Sequence, residues 1–229
     1  MQRAEVEEST LKQRELLEAA AAGDAAGVRR VLDRRPHLRD CCTDDGKTVL
    51  MHAVCCNSLR TVRAVLGSNP DIGRQMWDNS TAASSCLSSR MLRELLDEGA
   101  DPNERDFEYT LLHRAAMWGY RKKMKVLIDF GADLDCFRFH QWSPLMYACT
   151  NGEPRAIRLL LRRGANKCEA LDAAVCLCPA DTLSSTLPDI DREISISGSI
   201  SGRILLRARS VRQHRCGLDD SYWLNAFRG

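Results

Sequence analysis

The sequence predicts an all-α fold assembled from repeated helical units. Three similar stretches each place an apolar residue two positions after a Thr or Ser, with small residues a further three to four positions along; they occupy residues 44–54, 107–119 and 140–152. Each stretch is expected to open a short helix. Three Leu-rich segments have helical apolar spacing and occupy residues 91–101, 124–133 and 156–166. Self-similarity of this kind indicates a repeat protein.

Each Leu-rich segment ends at a glycine: Gly99, Gly131 or Gly164. Glycine commonly adopts the left-handed conformation that closes an α-helix, so these positions are predicted helix ends. The glycines are separated by 32 and 33 residues, which gives the length of one repeat.

This spacing, together with the pattern Thr-x-Leu-His-x-Ala-Ala at residues 110–116, resembles the ankyrin repeat. The resemblance implies units of about 33 residues, each a β-turn finger followed by two antiparallel helices, stacked into a solenoid with a shared core. It also implies a structural role for His113, which would hold a turn by hydrogen bonds, and it implies protein binding through finger tips and the exposed side of each first helix.

The resemblance predicts five to six units within a repeat domain of residues 12–188, preceded by an extension (1–11). The units are anchored at Arg14, Thr48, Thr81, Thr110, Ser143 and Glu169. The first unit is expected to be an N-terminal cap, with a capping box at Thr10 and Gln13 ahead of it. The unit at Glu169 lacks room for a finger and is expected to be a C-terminal cap. Residues 189–229 match no known motif and are expected to form a mobile tail.

The unit anchored at Thr81 departs from the pattern. It is three residues short between Thr81 and Gly99, and its segment "TAASSCLSSR" lacks the His and most of the first helix. The finger after Gly99 is also one residue short. We therefore expect a local irregularity at Thr81.

Composition indicates a soluble intracellular protein. The chain has 229 residues, a net charge of +2 and 44% hydrophobic residues, and it carries no stretch typical of a signal peptide or membrane span. Eleven Cys without an export signal are expected to be reduced thiols in the cytoplasm or nucleus. No motif for a phosphate loop, nucleophile elbow or zinc protease is present, so we expect no enzyme activity and no cofactor.

Aromatic residues crowd one region of the chain: nine of the 13 lie between residues 107 and 147. Aromatic and Arg side chains are favoured at binding hot spots. Under the ankyrin resemblance, most of these residues fall in fingers or on the exposed side of a first helix, and Trp77 extends the same face. The predicted partner-binding residues are Phe107, Tyr109, Met117, Trp118, Tyr120, Phe137, Arg138, Phe139, His140 and Trp142. An alternative is that several of these rings pack against neighbouring fingers.

Two other hypotheses remain open. Five Arg between residues 203 and 215 are compatible with a nucleic-acid-associated or nuclear protein, whose binding would fall steeply with salt, although the small net charge makes nucleic acid the weaker choice of partner. Zinc is a further alternative, raised by the cluster Cys41, Cys42, His52, Cys55 and Cys56 and by the later pair Cys176 and Cys178. These residues contain no Cys-x-x-Cys knuckle, so we expect ordinary thiols and no metal. The leading prediction is a non-catalytic adaptor that binds another protein.

Overall fold

The computed structural model describes residues 2–106, 109–136 and 142–166, where the chain forms nine α-helices and one pair of short strands. The helices are α1 (Gln2–Ala22), α2 (Ala25–Arg34), α3 (Val49–Cys55), α4 (Leu59–Leu66), α5 (Ser89–Asp97), α6 (Leu111–Met117), α7 (Arg121–Asp129), α8 (Pro144–Thr150) and α9 (Pro154–Arg162). The strands are β1 (Arg105–Asp106) and β2 (Tyr109–Thr110), which pair antiparallel. The prediction of an all-α fold of short helices is confirmed.

The described residues fall into two compact units. The first comprises residues 2–106, 109–115 and 122–133, and the second comprises residues 116–121, 134–136 and 142–166.

In the first unit, α1 packs on α2 and α3, and α2 and α3 both pack on α4. Helices α2, α3 and α4 each begin at a polar residue whose side-chain oxygen accepts a hydrogen bond from a free backbone amide. Asp24 accepts from the amides of Ala26 and Gly27 at 3.1 and 3.0 Å, and Thr48 accepts from Met51 at 3.2 Å. The apolar sides of the helices form the core, in which Leu16, Leu50, Leu92 and Leu112 are among the largest fully buried side chains.

The predicted helix ends are confirmed. Gly99, Gly131 and Gly164 have φ angles of 101°, 86° and 95°, which lie in the left-handed region where a side chain is disfavoured. These glycines follow α5, α7 and α9, the three Leu-rich helices of the sequence pattern.

The irregularity at Thr81 is also confirmed. Residues 67–88 contain no helix, and the position of the expected first helix is taken by turns at residues 82–85. Ala82, Ala83 and Cys86 are nevertheless buried, so this segment still contributes apolar side chains to the core.

In the second unit, α8 packs on α9. Ser143 begins α8 by accepting a bond from the Met146 amide at 3.4 Å, as its position in the repeat predicts. Leu145, Ile157 and Leu160 are the large, fully buried side chains between these helices.

One predicted helix start is wrong. Because α1 runs without interruption from Gln2 to Ala22, Thr10 and Gln13 lie inside it and do not begin a helix. The segment from Gln2 onward is rich in Glu, Gln and Lys and contains neither Gly nor Pro, so nothing in it stops the helix. Gln13 instead donates from Nε2 to the Cys42 carbonyl at 3.2 Å. The predicted C-terminal cap and the tail (189–229) lie outside the described residues.

Among the helices of the described residues, none is long and apolar enough to cross a membrane.

Candidate protein-binding surface

A tight turn after α6 places three predicted partner-binding residues together, and we call them the Trp118 patch: Met117, Trp118 and Tyr120. Trp118 is 63% exposed and Tyr120 is 51% exposed, whereas Met117 is half-buried. The turn is made by Gly119, whose φ of 63° lies in the left-handed region. Two large rings are therefore held in solvent on either side of one glycine.

Contacts within the second unit support the backbone of this turn. Asn151 donates from Nδ2 to the Met117 carbonyl at 3.0 Å. The carboxylate of Glu153 lies against Gly119 and occupies the space that a Cβ atom would need there. The backbone of the patch is thus held in an ordered turn.

Trp142 and Tyr109 are less exposed than the Trp118 patch. The Trp142 ring lies 5.1 Å from the Tyr147 ring, centroid to centroid, with the planes tilted by 56°. The Tyr109 ring lies 6.4 Å from the ring of His113. Both side chains are half-buried, so part of each ring serves internal packing.

The other predicted residues, Phe107, Phe137, Arg138, Phe139 and His140, lie outside the described residues. The Arg-rich segment 203–215 lies outside them as well. These parts of the sequence prediction therefore remain predictions.

In the first unit, Trp77 is 82% exposed on the finger that precedes Thr81. The turn of this finger is made by Asn79, with φ of 55°, and the neighbouring finger turns at Gly46, with φ of 82°. A Cβ atom at Gly46 would lie 3.4 Å from Cδ1 of the Trp77 ring. Trp77 therefore lies beside the backbone of the adjacent finger and leaves most of its ring in solvent.

His113 has the structural role that the resemblance implies. It is completely buried, and its Nδ1 lies 2.8 Å from the Thr110 hydroxyl. The Thr110 hydroxyl also lies 3.4 Å from the His113 backbone amide, which places the bond at the start of α6. A buried ring committed to this contact has no access to a substrate.

An open pocket of about 500 Å³ lies where the first helix of the Thr81 unit is missing. The residues that line it all carry a polar group, and they come from the finger, the turn at residues 82–85, the paired strands and α6. The lining residues are Asp78, Ser80, Ser84, Ser85, Asp106, Tyr109 and Arg114. Of these, the sequence prediction included only Tyr109; the shortened unit was the signal that something unusual lies here.

Two carboxylates and one guanidinium set the charge of this pocket. Arg114 forms an ion pair with Asp106. Asp78 accepts bonds through Oδ1 from the Ser80 amide and hydroxyl, at 3.0 and 2.5 Å, and the Ser80 hydroxyl lowers the pKa of Asp78. Burial raises the pKa of Asp106, an effect that Arg114 opposes and the negative charge of Asp78 reinforces. The two carboxylates are therefore close enough to influence each other.

The cysteines show no metal site in the described part of the chain, where no three His, Cys, Asp or Glu side chains are placed to share an ion. Cys41, Cys42, Cys55, Cys56 and Cys86 are free thiols. Burial raises the pKa of Cys41 to about 11 and that of Cys86 to about 12, so both thiols are protonated at neutral pH.

Residues 79–170 match the sequence model of a family described as ankyrin repeats (3 copies). The chain is also similar to protein phosphatase 1 regulatory subunit 27 of Mus musculus, with 32% identity over 79 residues, or 34% of this chain. It spans about half the length of that curated relative. The helix pairs, left-handed glycines and buried His113 agree with these matches, so residues 79–170 resemble ankyrin repeats in both sequence and structure.

Proposed function

We propose that this chain is a non-catalytic adaptor that binds a protein partner through the Trp118 patch. The observation that carries the proposal is the exposure of Trp118 and Tyr120 on an ordered turn. Burying a large aromatic ring against a partner is energetically favourable, and such rings are enriched at the centres of protein interfaces. Ankyrin repeats bind other proteins, and the mouse relative is named as a regulatory subunit, which supports a role in holding another protein.

The same reasoning gives Trp77 a secondary place in binding. Its ring is even more exposed than that of Trp118, and it lies on a finger, the part of the repeat that the family uses for recognition. The relative's name makes protein phosphatase 1 the first candidate partner to assay. We assign the partner from that name alone, so the experiment begins with an unbiased capture.

The test compares wild type with Trp118→Ala/Tyr120→Ala in affinity purification and mass spectrometry, after circular dichroism has established that both are folded. Leu11→Ala is the matched control, because Leu11 in α1 is also 63% exposed and belongs to the other compact unit. A captured partner is then titrated as a purified protein. Removing one true anchor costs about 2 kcal/mol, which corresponds to roughly a 30-fold increase in Kd.

The proposal requires that the double variant lose a partner that both wild type and Leu11→Ala retain. If every partner persists with unchanged Kd, the Trp118 patch is not the binding surface. If the double variant retains an interaction that falls steeply with salt and needs residues 203–215, the Arg-rich segment carries the function instead.

A further inference from the structure

The pocket at Thr81 is lined in part by the turns at residues 82–85, which stand where the repeat pattern expects a helix. Ala82 and Ala83 are buried and fill the core, whereas Ser84 and Ser85 are half-exposed and line the pocket. In this short segment the two alanines therefore pack in the core, and the two serines present their hydroxyl groups to the pocket.

The charge in this pocket is unbalanced. Arg114 is paired with Asp106, which leaves the second lining carboxylate, Asp78, without a cation among the lining residues. Both hydrogen bonds that Asp78 receives go to Oδ1, and within the described part of the chain no hydrogen bond to its Oδ2 is formed. Asp78 thus offers a charged oxygen to a ligand, and a cation beside it would also relieve its repulsion with Asp106.

The pocket also offers an aromatic ring, since the half-exposed side chain of Tyr109 belongs to its lining. A guanidinium group stacks on aromatic faces, donates charge-assisted hydrogen bonds to carboxylate oxygens, and has further donors for hydroxyl oxygens. Asp78, Tyr109 and the serines supply these three kinds of contact on the walls of one pocket of about 500 Å³.

We propose that this pocket binds an arginine side chain of the protein partner. The inference rests on the proposed protein-binding function for the source of the arginine, and it specifies a chemical feature that the partner must present. A phosphate or carboxylate is disfavoured because it would face Asp78 and Asp106. A lysine ammonium is a compact charge that has no flat face to stack on Tyr109 while it bonds Asp78.

The test is a titration of the full ¹⁵N-labelled chain with Nα-acetyl-arginine amide, followed by NMR chemical shifts. We expect saturable shifts of the Ser84, Ser85 and Tyr109 amides. Nα-acetyl-citrulline amide is the matched probe, because it has nearly the same shape but no charge, and it should cause no saturable shift.

Asp78→Asn removes the charge but keeps an acceptor oxygen for Ser80, so it tests the assignment without removing a fold contact. We expect it to weaken arginine binding at least fivefold, whereas Asp33→Asn, an exposed acid in α2, should not change it. Equal binding of citrulline or lysine amide, unchanged binding by Asp78→Asn, or no saturable shift would overturn the proposal. Trp118→Ala/Tyr120→Ala should still bind the arginine probe, so this result is independent of whether the Trp118 patch binds a partner.

Discussion

Replacing Gly119 with Ala tests whether the turn that carries the Trp118 patch depends on a left-handed glycine. An L-residue in this conformation costs roughly 1–2 kcal/mol. Every Gly→Ala change also restricts the unfolded chain, and this contribution alone favours folding by about 0.4–1 kcal/mol. A second glycine in an ordinary conformation is therefore needed as a reference.

Gly67 provides that reference, because it ends α4 with φ of −60° and ψ of −14°. A Cβ atom there would lie 3.4 Å from the Arg63 carbonyl oxygen, which is an ordinary contact. The effect on the unfolded chain is shared by both variants. The difference between their free energies of unfolding therefore reports the cost of the left-handed conformation in the native turn. We expect Gly119→Ala to be less stable than Gly67→Ala by about 1–2 kcal/mol.

Steric overlap with Glu153 could also add to the cost of Gly119→Ala, because the Glu153 carboxylate occupies the space that the new methyl group needs. The carboxylate is the far end of a flexible, half-exposed side chain, and it makes no side-chain cap for α9, so it can rotate away. Glu153→Ala should therefore change the cost of Gly119→Ala by less than about 0.5 kcal/mol in a double-mutant cycle.

The assay is urea unfolding followed by circular dichroism at 222 nm for the four variants and wild type. Equal stability of Gly119→Ala and Gly67→Ala would refute the argument from backbone conformation. If adding Glu153→Ala restored most of the stability that Gly119→Ala loses, steric overlap, and not the left-handed turn, would account for that loss.

Two further predictions concern buried ionisable groups. At pH 8, iodoacetamide should alkylate exposed Cys55 well before Cys86, because a pKa of about 12 leaves about one thiolate in 10⁴ at Cys86; comparable labelling of the two in peptide mass spectrometry would contradict this. Burial raises the pKa of Glu104, so its contribution to stability is lost as pH rises through that pKa. Glu104→Gln should therefore gain stability relative to wild type between pH 4 and pH 7 in urea unfolding, and a constant difference between them would show that Glu104 titrates normally.

Sequence was sufficient for the repeat register because the register depends on local backbone chemistry. Gly99, Gly131 and Gly164 occupy left-handed positions, and the helix-starting residues Thr48 and Ser143 accept bonds from amides three residues away. Both features follow from the chemistry of a few consecutive residues, so their spacing in the sequence is readable.

Sequence was less informative where the outcome depends on distant parts of the chain. The start of α1 was misplaced because a Thr with a Gln three residues later is a cap only if the preceding residues are not helical, and residues 2–9 are helical. The aromatic pattern identified the exposed Trp118 and Tyr120, but it did not separate them from Trp142, which packs on Tyr147. That distinction depends on tertiary contacts.

The pocket lies at the unit that departs most from the repeat pattern. The turns at residues 82–85 stand where the repeat pattern expects a first helix, and two of their residues, Ser84 and Ser85, line the open pocket. Because Ala82 and Ala83 remain buried, the missing helix does not leave an empty core. Recognition and stability therefore rest on different side chains of the same segment, so substitutions at Ser84 or Ser85 can change what the pocket accepts while the core around Ala82 and Ala83 stays packed.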